Sequence, residues 1–152
     1  MISLRRLEEN DLVDTLEWRN SPENNDKFLT TGEISLEDHL KWFDCIKTDD
    51  TQAVLAVLLD GKLIGQISFY NWVKTKKTAD VGRFLIAKEY QGRGYFLMAY
   101  KMMEKLMIER KIKTINIEAM SANTRALQIY NKMGFTMGNC NGPVIKGYKN
   151  IK

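Results

Sequence analysis

The chain has 152 residues with 23 Lys and Arg against 19 Asp and Glu, a formal net charge of +4 and 44% hydrophobic residues, which suits one domain, 1–152, with a single substantial core. No stretch reaches the roughly 18 apolar residues that span a bilayer and the N-terminus lacks a secretory apolar run, so the expectation is a soluble, cytoplasmic protein without a membrane partner. Cys45 and Cys140 have no metal-ligand spacing and His39 is the single histidine, so the cysteines read as free thiols, no metal is expected, and a Cys/His/Asp hydrolase has little basis.

Ile2 to Leu7 alternates weakly and reads as an opening strand, followed by an acid-rich helix from about Asn10 to Arg19 that Ser21-Pro22 breaks. Ser35 and Asp38 resemble a capping box, and Leu36, His39, Leu40, Phe43 and Ile46 recur at helical spacing, so a second helix runs to about Lys47. Ala53 to Leu59 and Lys62 to Trp72 form a hairpin around Asp60-Gly61, which supplies the positive φ angles of a two-residue turn. A charged tip, Lys74 to Thr78, leads into a strand from Asp80 to Ala87. An amphipathic helix follows from about Gly94 to Arg110, with Phe96, Ala99, Met103, Leu106 and Met107 on one face. The remainder reads as a strand, Thr114 to Met120, a short helix, Asn123 to Met133, closed by Gly134, and two strands near Phe135 to Met137 and Val144 to Tyr148. The order β-α-α-β-β-β-α-β-α-β-β implies an α/β fold with a mixed central sheet and helices on both faces.

Charge is divided along the chain. Residues 7–60 hold 14 acidic and 4 basic side chains, whereas residues 61–152 hold 5 and 17. Two solvated faces would produce this, as would one sub-site for a polyanion and another for a cation. Nucleic acid is disfavoured as a partner because the aromatics are not interleaved with the bases as a stacking platform requires.

Gln91-Gly92-Arg93-Gly94-Tyr95-Phe96 lies where a strand gives way to a helix, a place suited to a phosphate: glycines permit a tight turn, and free N–H groups at a positive dipole end favour an anion. By itself such a turn is equally a plain strand-to-helix connection. A second segment, Asn123 through Ala126 and Tyr130 to Gly134-Phe135, accompanies it. Asn123 is an N-cap candidate. On spacing alone Tyr130 is a core aromatic, sharing a stripe with Ala126 and Met133.

Together the two segments resemble the cofactor motifs of the GNAT acyl-CoA N-acetyltransferases, and the likeness in element order covers nearly the whole chain. The resemblance implies the GNAT fold with splayed parallel central strands, acetyl-CoA as cosubstrate, and direct acetyl transfer to a primary amine on a small-molecule partner, by a monomer or homodimer. It implies that backbone groups of Phe84, Leu85 and Ile86 pair with the pantetheine arm. Gln91, Gly92, Arg93, Gly94, Tyr95 and Phe96 would hold the pyrophosphate, Asn123 would contact the cofactor while capping its helix, and Arg93 and Arg125 would steer the polyanion. Phe96 departs from the family's small residue; its position on the apolar helix face would turn the ring into the core. Tyr130 would donate a proton or a hydrogen bond to the departing thiolate. Glu118, placed off the more apolar face by strand parity, is either an exposed carboxylate or the base that deprotonates the amine.

For the acceptor, Trp18-Arg19-Asn20 and Glu37 to Phe43 resemble segments of GNAT enzymes that acetylate the amine of a nucleotide-linked 4-amino-4,6-dideoxy sugar on the way to pseudaminic acid. This implies substrate-binding roles for Arg19, His39 and Trp42, with Phe43 as another stacking candidate and Lys41 and Lys74 to Lys77 as further phosphate contacts. Without the resemblance, His39 is an edge-of-core residue and the aromatic pair is core. The acid-rich region favours a cation instead, so peptide N-termini, as in the ribosomal-protein enzymes, and polyamines are rival acceptors. A non-catalytic acyl-CoA-binding protein is the alternative that Phe96 suggests.

Overall fold

The computed structural model describes residues 1–21, 33–139 and 142–152. Its strands are β1 (Ile2–Arg6), β2 (Ala53–Leu59), β3 (Lys62–Val73), β4 (Thr78–Ile86), β5 (Thr114–Met120), β6 (Thr136–Met137) and β7 (Val144–Asn150). The described helices are α1 (Leu12–Asn20), α2 (Leu36–Ile46), α3 (Tyr95–Glu109) and α4 (Thr124–Lys132), with 3-10 turns at Glu9–Asp11 and Lys88–Tyr90. The order matches the expected α/β sequence of elements. Pro22 and Cys140 lie outside the described residues; Cys45 is an exposed free thiol.

The sheet runs β1-β2-β3-β4-β5-β7-β6, antiparallel throughout except where β4 meets β5. Along β2, Ala53, Leu55 and Val57 face a core shared with Ala99, Met103 and Met107 of α3, while Val54 and Ala56 face Leu12, Phe43 and Ile46 beneath α1 and α2. Both faces are thus covered, which is why this strand reads as an unbroken apolar run.

Local chemistry sets the element ends. Asp11 accepts both Arg5 terminal nitrogens (2.7 and 2.9 Å) and the Glu8 amide (2.8 Å), fixing a 3-10 turn where the sequence suggested that the first helix had begun. The Ser35 hydroxyl caps α2 by accepting from the Asp38 amide (3.1 Å), and Asn123 caps α4 by accepting from the Ala126 amide (3.2 Å). β4 starts at Thr78 rather than Asp80, because the tip turns within Lys74–Lys77, where Lys77 has φ 58°.

The feature that shapes the site is the parting of the parallel pair. Only Thr78, Ala79 and Asp80 pair with β5, opposite Thr114, Ile115 and Asn116. β4 continues alongside β3, but Gln66 pairs with Leu85 and Ser68 with Gly82, so Arg83 and Phe84 together stand against Ile67. This is a bulge, and Arg83 takes φ 56° within it. Bulges bend a strand and increase its twist. Beyond Asp80 the β5-facing edge of β4 is left without a ladder partner.

Candidate active site

One cleft of about 950 Å³ opens at the parting and runs from the glycine turn to the junction of α1, α2 and β4. Gly92 (φ 75°) and Gly94 (φ 84°) both adopt the left-handed region, and Gly94 is the N-cap of α3. A Cβ on either would meet nothing within 4 Å, so backbone angle and not crowding requires glycine there. The intrahelical ladder begins with the Met98 amide on the Gly94 carbonyl (3.2 Å), so the amides of Tyr95, Phe96 and Leu97 precede it at the positive dipole end. Gln91 fastens the loop by donating to the Ile86 carbonyl (2.8 Å). Arg125 lines the cleft, whereas the Arg93 side chain is exposed outside the lining.

Phe96 turns into the core as expected. Its ring packs against Phe84 at 4.9 Å, tilted by 57°, and lies 6.4 Å from Tyr100, which is 6.2 Å from Phe135. Tyr130 presents its ring edge-on to Phe84 at 6.1 Å and to Phe135 at 6.3 Å. The Tyr130 phenol lines the cleft and is pushed up to about 12, by burial first and by the neighbouring Tyr70 second. Glu118 alternates away from buried Ile117 and Ala119, lines the cleft, and faces Lys146 of β7 at 4.0 Å with 44% of its side chain exposed.

At the other end α1 and α2 supply Arg19, His39 and Trp42, all of which line the same cleft. Two hydrogen bonds position these helices, from Asn20 Nδ2 to the Ile34 carbonyl (2.7 Å) and from the Ile34 amide to Asn20 Oδ1 (2.8 Å). His39 is buried and stacks on Trp42 (5.1 Å, 15°). The Thr15 hydroxyl donates to the Leu12 carbonyl (3.3 Å), which assigns the ring hydrogen to Nε2, donating to Thr15 Oγ1 at 3.2 Å, and leaves Nδ1 as an acceptor. Burial pushes the imidazole down and keeps it neutral at neutral pH; burial likewise lowers the Arg19 guanidinium.

Several expectations need correction. Phe43 is buried in the core beneath α1, because it lies one helical step round from Trp42. Lys41 pairs with Glu37 (3.2 Å) on the exposed side of α2, and none of Lys74 to Lys77 reaches the cleft; Lys74 lies over Trp72 (4.8 Å) near Asp50 (3.8 Å). The regional acidity does not describe the site either. Among the described residues the lining contains Glu33, Asp38 and Glu118 against Arg19, Arg83 and Arg125.

The lining residues that sequence reasoning missed include Gln66, Tyr70 and Arg83. The Tyr70 ring crosses Gly82, where an added Cβ would come within 2.7 Å of its hydroxyl. Its phenol is raised by burial, opposed by Arg83 and reinforced by Asp80 and Glu118. Gln66 donates to the Arg83 carbonyl (3.4 Å), leaving its buried Oε1 without a donor among the described residues.

The model for the acetyltransferase (GNAT) domain matches residues 2–136. The chain is 31% identical over 121 residues to the acetyltransferase PseH of Campylobacter jejuni, covering 79% of this chain and 73% of that protein. Among solved structures, a spermidine N-acetyltransferase of Vibrio cholerae, in complex with CoA and spermine, superposes with a TM-score of 0.87 at 18% identity, covering 99% of this chain and 95% of the other. The PaiA N-acetyltransferase of Thermoplasma acidophilum, in complex with coenzyme A, gives 0.73 at 20% identity, with 99% of each chain covered. The matched domain spans nearly every element that builds the cleft, and the chain belongs to the GNAT acetyltransferase family, as an N-acetyltransferase acting on amines.

Proposed function

We propose that the protein moves the acetyl group of acetyl-CoA directly to the amine of a nucleotide-linked amino-deoxy sugar. The carrying observation is the single cleft that joins the glycine turn and the parted strands to Arg19, His39 and Trp42, with Tyr130 and Glu118 also in its lining. The amides at the start of α3 fit a pyrophosphate, and the unpaired edge of β4 at Phe84 to Ile86 fits an amide-bearing arm. When bound, the cosubstrate supplies an activated acetyl group. The protein supplies orientation and proton handling.

Glu118 takes a proton from the acceptor ammonium, directly or through water, because only the neutral amine is nucleophilic. Tyr130 serves the leaving side. A phenol at about 12 lies roughly 3.5 units above a thiol of ordinary pKa, so full proton transfer is uphill by ~5 kcal/mol and the hydroxyl acts as a hydrogen-bond donor to the developing thiolate. His39 offers Nδ1 to a sugar hydroxyl, and Trp42 offers a face for stacking. The named likeness to PseH and the arginines of the lining support this acceptor over a polyamine, which the V. cholerae neighbour binds and which the three lining carboxylates would attract. The test is thiol release from acetyl-CoA with a nucleotide-linked 4-amino-4,6-dideoxy sugar, spermidine and a peptide amine. Turnover on the sugar alone supports the proposal, and preference for spermidine or peptide refutes it.

A further inference from the structure

We infer that Arg83 is a specificity-determining residue of the acceptor end, holding a fixed guanidinium that reads a phosphate group on the acceptor. This deepens the nucleotide-sugar proposal, on which it rests for the anion's identity.

Arg83 lies in the bulge at φ 56°, an angle that costs a residue with a Cβ roughly 1–2 kcal/mol and persists where surrounding structure enforces it. Its side chain is held by three partners. The guanidinium carbon sits 4.2 Å from the Tyr70 ring centre and 5.7 Å from that of Trp42, and Nη1 donates to Gln52 Oε1 at 2.7 Å. Gln52 is itself oriented, since its Nε2 donates to Asp49 (2.7 Å), whose carboxylate also accepts from the amide and hydroxyl of Thr51 (2.9 and 2.7 Å). The cation is therefore immobilised before any ligand arrives.

Immobilisation leaves donor capacity over. Stacking on a ring engages the guanidinium face, whereas a guanidinium carries five N–H donors along its edge, of which the Gln52 bond uses one. No carboxylate among the described residues pairs with Arg83, although burial disfavours its charge. A half-buried cation with no carboxylate partner among the described residues, lining a cleft, suits an anion from outside. The pyrophosphate cradle is built around Gly92 and Gly94; Arg83 instead borders Trp42 and Tyr70, on the acceptor side of the bulge. Arg19 contributes a second buried guanidinium to the same lining. A diphosphate suits the planar fork of Arg83 and a polyamine does not.

The test measures a nucleoside diphosphate binding to the full chain kept saturated with CoA, so that the cofactor cradle is already filled. Arg83→Gln should weaken that binding by about 10- to 100-fold, the value of one charge-assisted contact, while the affinity for CoA and the melting temperature stay near wild type. Arg83→Lys should recover only part of the loss, because an ammonium neither stacks nor forks in the same way. Unchanged binding in Arg83→Gln, or no binding to the wild type, overturns the inference, as does an equal loss of acetylation for sugar nucleotide and spermidine in Arg83→Gln. Diphosphate binding that depends on Arg83 without acetylation of the sugar would sustain the inference and refute the sugar reading. Acetylation of the sugar at wild-type rates by Arg83→Gln would do the reverse.

Discussion

Tyr130→Phe separates a proton donor from a hydrogen-bond donor. The substitution removes one oxygen and leaves the ring against Phe84 and Phe135, so the fold should melt within a degree or so of wild type. With the phenol raised to about 12 against an ordinary thiol near 8.5, the hydroxyl keeps its proton, and the lost stabilisation is that of a hydrogen bond to a charged group, ~1.5–3 kcal/mol. That corresponds to a fall in kcat of about 10- to 150-fold, below the upper end of general acid catalysis at about 10⁴. Single-turnover thiol release at saturating acceptor, from pH 6 to 10.5, isolates the chemical step from product release. The loss should be constant across that range, because Tyr130 does not titrate within it. A variant within two-fold of wild type would refute the assignment. So would a descending limb near pH 10 in the wild type that Tyr130→Phe abolishes, since that would mean a far more acidic phenol.

Glu118→Gln should cost about 10²- to 10⁴-fold in kcat/KM for the acceptor at pH 7, with the deficit narrowing as pH rises and bulk solvent deprotonates the amine; a pH-independent deficit would remove Glu118 as the base. Gly94→Ala should raise the Kd for CoA and lower stability by about 1–2 kcal/mol, measured by calorimetry and urea unfolding, because φ 84° is strained for alanine even in open space. Asp11→Asn should lower stability at pH 7 by about 1–3 kcal/mol. Burial raises the Asp11 carboxyl, but Arg5 and the Glu8 amide outweigh it and hold the folded group below its ordinary value. Its contribution is therefore fully present above the unfolded carboxylate pKa and disappears as pH falls through the folded one, so wild type and Asp11→Asn should converge in urea titrations as pH falls below the ordinary carboxylate range.

The features readable from sequence are those decided within a few neighbours. Gly92 and Gly94 mark a left-handed turn because few other residues take that angle, and Asn123 marks a helix start because its oxygen suits an amide three residues on. Glu118 was placed correctly because strand parity alone separates it from Ile117 and Ala119. Arg83 was missed for a converse reason. Gly82, beside it, is the residue expected to take the positive φ of a bulge, yet Gly82 is occupied in making room for Tyr70, and the arginine takes the angle. The acidic balance of the first 60 residues misled because a sum over sequence does not say which face a side chain occupies. Glu37, Asp44 and Asp60 are paired at the surface with Lys41, Lys47 and the N-terminus, away from the lining.

The rings of Phe84, Phe96, Tyr100, Phe135 and Tyr130 touch in sequence and return to Phe84, forming a closed circuit drawn from β4, α3, α4 and the turn before β6. Tyr130 thus inherits its position from the core, with no described side chain hydrogen-bonded to its hydroxyl, and the bulky Phe96 is one of the links that hold it. Substitutions at distant members of the circuit should therefore be non-additive with Tyr130→Phe in turnover, and repacking around Tyr100 and Phe135, which lie outside the lining, offers a way to tune the leaving-group end of the reaction without touching a residue that meets the substrate.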